Sequence, residues 1–173
     1  MKSIINHLNF KEDLILDKQT FKDVIKNAPL VSIDLCLVCN DQLLLGKRNN
    51  APLKGEWFTP GGRIYKNETW QHALLRIVKA ELGLYDLRVE DFTLMGMWDH
   101  FYKNSAIDQN TSTHYINLPH NAWLQSKPEI TLDDQHAKFR WFDLAVVSSD
   151  EKFHSYMRNY ASWLLNNRGN KDD

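Results

Sequence analysis

Pro60-Gly-Gly-Arg-Ile-Tyr-Lys-Asn-Glu-Thr69 runs directly into residues 70–82 and stops at Gly83. The two halves of this stretch obey different rules. Paired glycines in the first half let backbone come close to a ligand or hold a positive φ. In the second half Trp70, Ala73, Leu74, Ile77 and Val78 recur at helical spacing. Asn67 or Thr69 can cap the helix start, and Gly83 suits a left-handed stop with Leu84 folding back on Val78. A glycine loop followed by a helix of three to four turns is therefore predicted, with Arg63, Glu68, Arg76 and Glu81 where the two meet.

Working outward, the segment before the loop reads as a hairpin. Leu30–Cys39 is an apolar strand, Asn40-Asp41 a turn, and Gln42–Arg48 a second strand. Asp34 interrupts the first strand, and a carboxylate in a buried strand needs a partner or a task. Lys47 and Arg48 close the second strand just before the loop, which makes Arg48 a phosphate candidate. Phe21, Val24 and Ile25 give an amphipathic packing helix that ends before Pro29.

Beyond the central helix, 89–102 reads as one long strand ending in Trp98, His100, Phe101 and Tyr102, and 103–111 as a polar mobile loop. A strand within 112–123 carries His114 and Tyr115. A loop over 127–137 holds Asp133, Asp134, Gln135 and His136, and a short strand follows at 139–142. The closing amphipathic helix is placed at 155–167, ahead of a polar tail at 168–173. Strands outnumber helices and do not alternate with them regularly, which predicts an α+β fold with helices packed on the faces of a mixed β-sheet.

The chain's 173 residues suit a single domain, 1–173, with an N-terminal helical extension over about 1–28. Charged residues are 25% and apolar residues 43%, and the net charge is −1. Nothing global points to nucleic acid or to a membrane, so any anion has to be held by a local cluster. The first ten residues lack the apolar core of a signal peptide, and no apolar run approaches the ~20 residues that span a bilayer. A cytoplasmic location is the expectation. Cys36 and Cys39 lie in the buried first strand, facing opposite ways, with no second pair to complete a zinc site, so they read as structural thiols.

Gly62, Glu68, Arg76, Val78, Glu81, Gly83 and Leu84, in that spacing, resemble the Nudix box. The family has glutamates where this chain has Ile77 and Ala80. Glu81 alone remains of an acidic set that an ordinary Nudix enzyme presents to two or more divalent cations. Further segments, Leu44-Leu-Leu-Gly-Lys-Arg48, Trp57-Phe-Thr-Pro-Gly-Gly-Arg63, Gly96-Met-Trp-Asp-His-Phe-Tyr102, Thr113-His-Tyr115, Asp134-Gln-His136 and Arg140-Trp141, look like the GDP-mannose mannosyl hydrolase branch, which also lacks those two glutamates.

The resemblance implies a Nudix fold, an α/β/α sandwich, and a cytoplasmic homodimer that cleaves GDP-mannose to GDP and mannose. It implies one Mg²⁺ per active site, with Mn²⁺ as a substitute, held by Glu81, the Gly61 carbonyl and the Gln135 side chain. His136 is implied as general base, with Asp133 and Asp134 as fallbacks. Arg48, Arg63, Arg76 and Tyr115 are implied at the phosphates, and Asp34 and His100 at positions that hold the sugar or orient the residues that do.

The chemistry agrees with the residue types. Attack at an anomeric carbon expels a nucleoside diphosphate that needs neutralisation rather than a proton, and one Mg²⁺ with arginines supplies that. Guanidinium forks match phosphate oxygens, and an imidazole takes a proton from water near neutral pH. Arg76 has a rival role, a structural pair with Glu68. Two other readings stand beside the first: a Nudix diphosphatase cutting P–O–P, and a degenerate domain that binds a nucleotide without turnover.

Overall fold

The computed structural model describes residues 16–130 and 136–168, with the side chains of residues 136 and 137 outside the description. The molecule is built on β1 (Leu30–Cys39), every residue of which is buried except Val31. A strand with both faces covered reads as a nearly unbroken apolar run, and this one does. It pairs differently along its two halves. Residues 30–34 lie between β4 (Gly61–Arg63), antiparallel, and β7 (Thr113–Asn117), parallel. Residues 35–39 lie between β2 (Gln42–Arg48), antiparallel, and β8 (His120–Trp123), parallel. β3 (Trp57–Phe58) and β9 (His136–Asp143) both pair with β2. β5 (Thr93–Leu94) pairs with β8, and β6 (Trp98–Tyr102) with β7. The β1–β2 connection is a tight turn with Asn40 and Asp41 both at positive φ, as such hairpins require.

Helices cover both faces of this mixed sheet, so the α+β sandwich holds. α2 (Trp70–Leu82) packs Ala73, Leu74, Ile77 and Val78 against Ile33, Leu35 and Leu37. On the other face α3 (Leu144–Ser149) and α4 (Ser155–Asn166) bring Leu144, Val147, Met157, Tyr160 and Leu164 onto Cys36, Val38, Leu43 and Leu45. α1 (Lys18–Asn27) is capped by Asp17 and ends at Ala28, just before Pro29. Cys36 and Cys39 are buried and free. No helix among the described residues is long and apolar enough to cross a membrane.

Several boundaries differ from the sequence reading. The long strand expected over 89–102 is a 3₁₀ turn at Val89–Asp91 and two short strands, β5 and β6, parted at Gly96, whose φ of +106° breaks the extended run. The strand within 112–123 divides into β7 and β8 at Leu118-Pro119, because Pro119 has no N–H for a ladder. The short strand at 139–142 is the longer β9, and α3 follows it from an Asp143 cap that the sequence reading passed over.

The glycine loop also holds a correction. Residues 61–63 are a strand, and neither Gly61 nor Gly62 has a positive φ. Their smallness serves the protein's own packing. A Cβ on Gly61 would lie 2.6 Å from Asp34 Oδ1 and from the Ile33 carbonyl, and one on Gly62 would lie 3.2 Å from Ile77 Cγ1. Thr69, not Asn67, caps α2, and Gly83 ends it at φ 68°.

Candidate functional site

Where β1, β4 and α2 meet the 49–53 loop, a cavity of about 270 Å³ opens. Arg48, Arg63, Arg76 and Tyr115 line it, as do Asp34, Gly61 and Glu81, so seven of the residues singled out from the sequence come together. The local folding explains why. Arg48 ends β2 and is held by a bond from its Nε to the Pro52 carbonyl at 2.9 Å. Arg63 ends β4, and its guanidinium lies over the Phe21 ring of α1, 4.0 Å from the centroid, with Tyr65 at 5.1 Å. Stacking on aromatic faces keeps a guanidinium flat with its edge free for a ligand.

Glu81 is one turn beyond Ile77 on α2, and both face the cavity, whereas Ala80 is exposed and does not line it. At only 6% exposure, Glu81 is not the exposed helix-end carboxylate that its place near the C-terminus of α2 suggests. Ile77 is buried in the core and packs beside Gly62. So the helix offers the cavity one carboxylate.

The β1–β4 register decides which backbone groups are available. Leu35 N–H donates to the Pro60 carbonyl at 2.8 Å, and Ile64 N–H to the Val31 carbonyl at 2.9 Å. The bonded pairs of an antiparallel ladder alternate, so Ile33 and Gly62 form the pair between them, and Gly61 and Arg63 turn their carbonyls away from β1. The Arg63 carbonyl accepts Arg76 Nη2 at 2.9 Å. The Gly61 carbonyl is left to the cavity side.

These oxygens fit a hard divalent cation. Glu81 and the Gly61 carbonyl are oxygen donors of the kind Mg²⁺ prefers, in a site with room for substrate phosphates and water. Among the described residues no group of three or more His, Cys, Asp or Glu side chains gathers as a metal cage. A cation here would draw much of its shell from backbone, substrate and solvent. Gln135, expected as a further ligand, lies outside the described residues, as do Asp133 and Asp134. Residue 136 begins β9 directly across from Arg48 in the ladder, while the His136 side chain is outside the description.

Of the two roles open for Arg76, the geometry shows the structural one. Its Nε and Nη2 reach Glu68 Oε1 and Oε2 at 2.7 and 2.9 Å. Tyr65 N–H donates to the same carboxylate at 3.0 Å. Arg76 also lines the cavity, but its fork is occupied in bracing the β4–α2 connection.

Behind the cavity lies a buried polar chain. Asp34 Oδ2 accepts from Asn117 Nδ2 at 2.5 Å and from Tyr160 Oη at 3.0 Å. His100 Nε2 is 3.2 Å from Tyr160 Oη, and His100 Nδ1 is 3.2 Å from both Tyr102 Oη and Asn117 Nδ2. Tyr160 has one hydroxyl proton, and an ionised Asp34 takes it. His100 Nε2–H then donates to the Tyr160 oxygen and Nδ1 accepts.

The His100 ring is fully buried, stacked on Tyr156 at 3.7 Å, and does not line the cavity. From there it orients Tyr102, Tyr160 and Asn117, the second of the two roles that the resemblance implies for it. Tyr102 and Asn117 do line the cavity, and the sequence reading gave them no role. No motif marks Asn117 or Tyr160; their roles come from Asp34 lying between β7 and α4.

Burial pushes the Asp34 carboxyl up to about 7, against the pull of Tyr160, Asn117 and the Arg48 charge. Burial, helped by His154, pushes His100 down to about 3, so the ring is neutral. The two oppose each other in stability. Between about pH 4 and 7 the native Asp34 holds a proton that the unfolded chain has lost, so its contribution falls as pH rises. Over about pH 3 to 6.5 His100 acts in the opposite sense.

Asp34→Asn isolates the first effect. Its stability relative to the parent should improve by about 3–4 kcal/mol between pH 4 and 7.5, at 1.36 kcal/mol per pKa unit. Urea unfolding at the two pH values measures this, and a constant gap would mean that the carboxyl titrates as in water.

Comparison with known proteins agrees with this architecture. The model of the NUDIX domain matches residues 29–164. The low-salt glycan biosynthesis protein Agl8 of Haloferax volcanii is 36% identical over 141 residues, 82% of this chain and 85% of that protein. An ADP-ribose pyrophosphatase of Methanocaldococcus jannaschii is 39% identical over 90 residues, 52% of this chain and 48% of that one. A MutT NUDIX hydrolase structure from Burkholderia pseudomallei superposes with a TM-score of 0.63 at 26% identity, covering 80% of this chain and 99% of its own.

Proposed function

The chain belongs to the Nudix family, and on that footing we propose that it hydrolyses a GDP-sugar, GDP-mannose foremost, to GDP and free sugar by water attack at the anomeric carbon. The observation that carries this reading is the single carboxylate, Glu81, that α2 turns to the cavity, with Ile77 packed into the core one turn before it. Nudix enzymes generally use divalent metals such as Mg²⁺ or Mn²⁺; one Mg²⁺ here, when bound, would neutralise the departing diphosphate.

Glu81 and the Gly61 carbonyl would hold that ion, with Gln135 as the further oxygen. Arg48, tethered to the Pro52 carbonyl, and Arg63, stacked on Phe21, both line the cavity and take phosphate oxygens in two-point contacts. Tyr115 adds a donor from β7. Burial keeps its phenol pushed up, and so protonated, at neutral pH. Arg76 and Glu68 hold β4 against α2 and so position Arg63 and Gly61. His136, opposite Arg48, takes the proton from the attacking water. No acid is required on the leaving side, because a nucleoside diphosphate departs as an anion whose charge Arg48 and Arg63 offset. The result is a single displacement with inversion, as in inverting glycosidases. Agl8's name places that relative in glycan biosynthesis, which agrees with a sugar-bearing substrate.

Similarity over half the chain to an ADP-ribose pyrophosphatase favours the other Nudix outcome, P–O–P cleavage. Turnover of GDP-mannose in ¹⁸O-water separates the two. The expected result is label on the mannose, none on the GDP, and the β-anomer formed first. Label in phosphate, or GMP with mannose 1-phosphate as products, would replace this reading by ordinary diphosphatase chemistry.

A further inference from the structure

Two buried polar atoms in the cavity wall, Thr59 Oγ1 and Asn117 Oδ1, have no hydrogen-bond partner among the described residues. Both residues line the cavity, at 1% and 3% exposure. Buried polar atoms without partners are rare and cost stability, so two in one wall, on either side of Asp34, call for an occupant.

The orientation of Asn117 is set by its neighbours. Its Nδ2 faces two acceptors, Asp34 Oδ2 and neutral His100 Nδ1, which leaves Oδ1 as the outlying atom. Thr59 comes just before Pro60 and the β4 strand, where its hydroxyl acts on Asp34 as a weak hydrogen-bond donor that pulls the carboxyl down, while its Oγ1 makes no bond of full geometry. With Asp34 Oδ2 already accepting two bonds, the wall presents Asn117 Oδ1 and Asp34 Oδ1 as acceptors and the Thr59 hydroxyl as either partner.

Such a wall does not suit a phosphate, whose oxygens only accept and whose charge the carboxylate repels. It suits hydroxyl groups, which donate. The same cavity carries Arg48 and Arg63 for the anionic part.

We propose that Thr59 and Asn117, with Asp34, form the subsite that reads hydroxyl groups of the substrate's sugar, and that they set sugar specificity. This rests on a nucleotide sugar being the substrate, but not on which bond breaks. A site built to bond a hydroxyl rejects the analogue that lacks it far more strongly than an apolar pocket discriminates a methylene.

The test compares Thr59→Val, which keeps the shape and removes the hydroxyl, with Thr59→Ser, which keeps it. GDP-mannose, monodeoxy-mannose analogues of it and GDP as a competitive inhibitor are the probes. Thr59→Val should lower kcat/KM for GDP-mannose about 10- to 100-fold and leave GDP inhibition within about twofold, with Thr59→Ser close to the parent. One deoxy analogue should lose as much in the parent and nothing further in Thr59→Val. The melting temperature of Thr59→Val should not fall, since a buried unpaired hydroxyl is removed, so a lost rate is not lost folding.

Unchanged kcat/KM in Thr59→Val would mean that the wall holds only water and would overturn the proposal. Equal weakening of GDP would assign the wall to the nucleoside and overturn it as well. P–O–P products with the Thr59 effect intact would remove the reaction assignment alone.

Discussion

Glu81→Gln is expected to leave a folded chain whose kcat on the nucleotide sugar is lower by on the order of 10²–10⁴-fold. The figure follows from the several kcal/mol that a divalent ion contributes to charge stabilisation in the transition state, at about 1.36 kcal/mol per tenfold. Gln keeps the volume and one carbonyl oxygen of a side chain that is 6% exposed, so the packing of α2 on β1 persists. What disappears is the one carboxylate on the cavity face of α2. Titration of Mg²⁺ or Mn²⁺ against turnover checks this directly. The parent should respond to one essential ion per site and lose activity in excess EDTA, and the variant should need far more metal. Full activity in EDTA, or two ions per site under turnover, would contradict the single-carboxylate reading.

His136→Gln should lower the rate by on the order of 10²–10⁴-fold, the range for loss of a general base, while GDP and Mg²⁺ still bind. The ladder supplies the geometric reason: residue 136 stands opposite Arg48, where β2 ends and the cavity begins. Calorimetric titration of GDP with Mg²⁺ separates the base from a ligand, since loss of a base spares that binding. A rate near that of the parent would move the role to Asp133 or Asp134.

The reach of the sequence can be judged from particular residues. Local rules predicted β1, β2 and the turn between them, α1, α2 with its Gly83 stop, and the position of α4. In each, apolar periodicity, a cap or a turn dipeptide acts within a few residues. The same rules failed at 89–102 and 112–123, where the composition is extended throughout and the breaks at Gly96 and Pro119 depend on which neighbour each strand meets. The α3 helix was missed because six residues carry too little periodicity to register.

The sequence by itself determined the family, through the box spacing, and the composition of the site: three arginines, one carboxylate on α2, and a carboxylate in a buried strand. Tertiary structure decided what each does. It turned Arg76 inward to Glu68 and gave the glycine pair to the protein's own packing. It placed His100 behind the wall, and it brought Thr59 and Asn117, 58 residues apart, to either side of Asp34. The physical reason is that a side chain's task here depends on which hydrogen-bond partners and charges reach it. Those partners come from strands paired across the sheet and from a helix on its far face, separations at which sequence spacing no longer constrains distance.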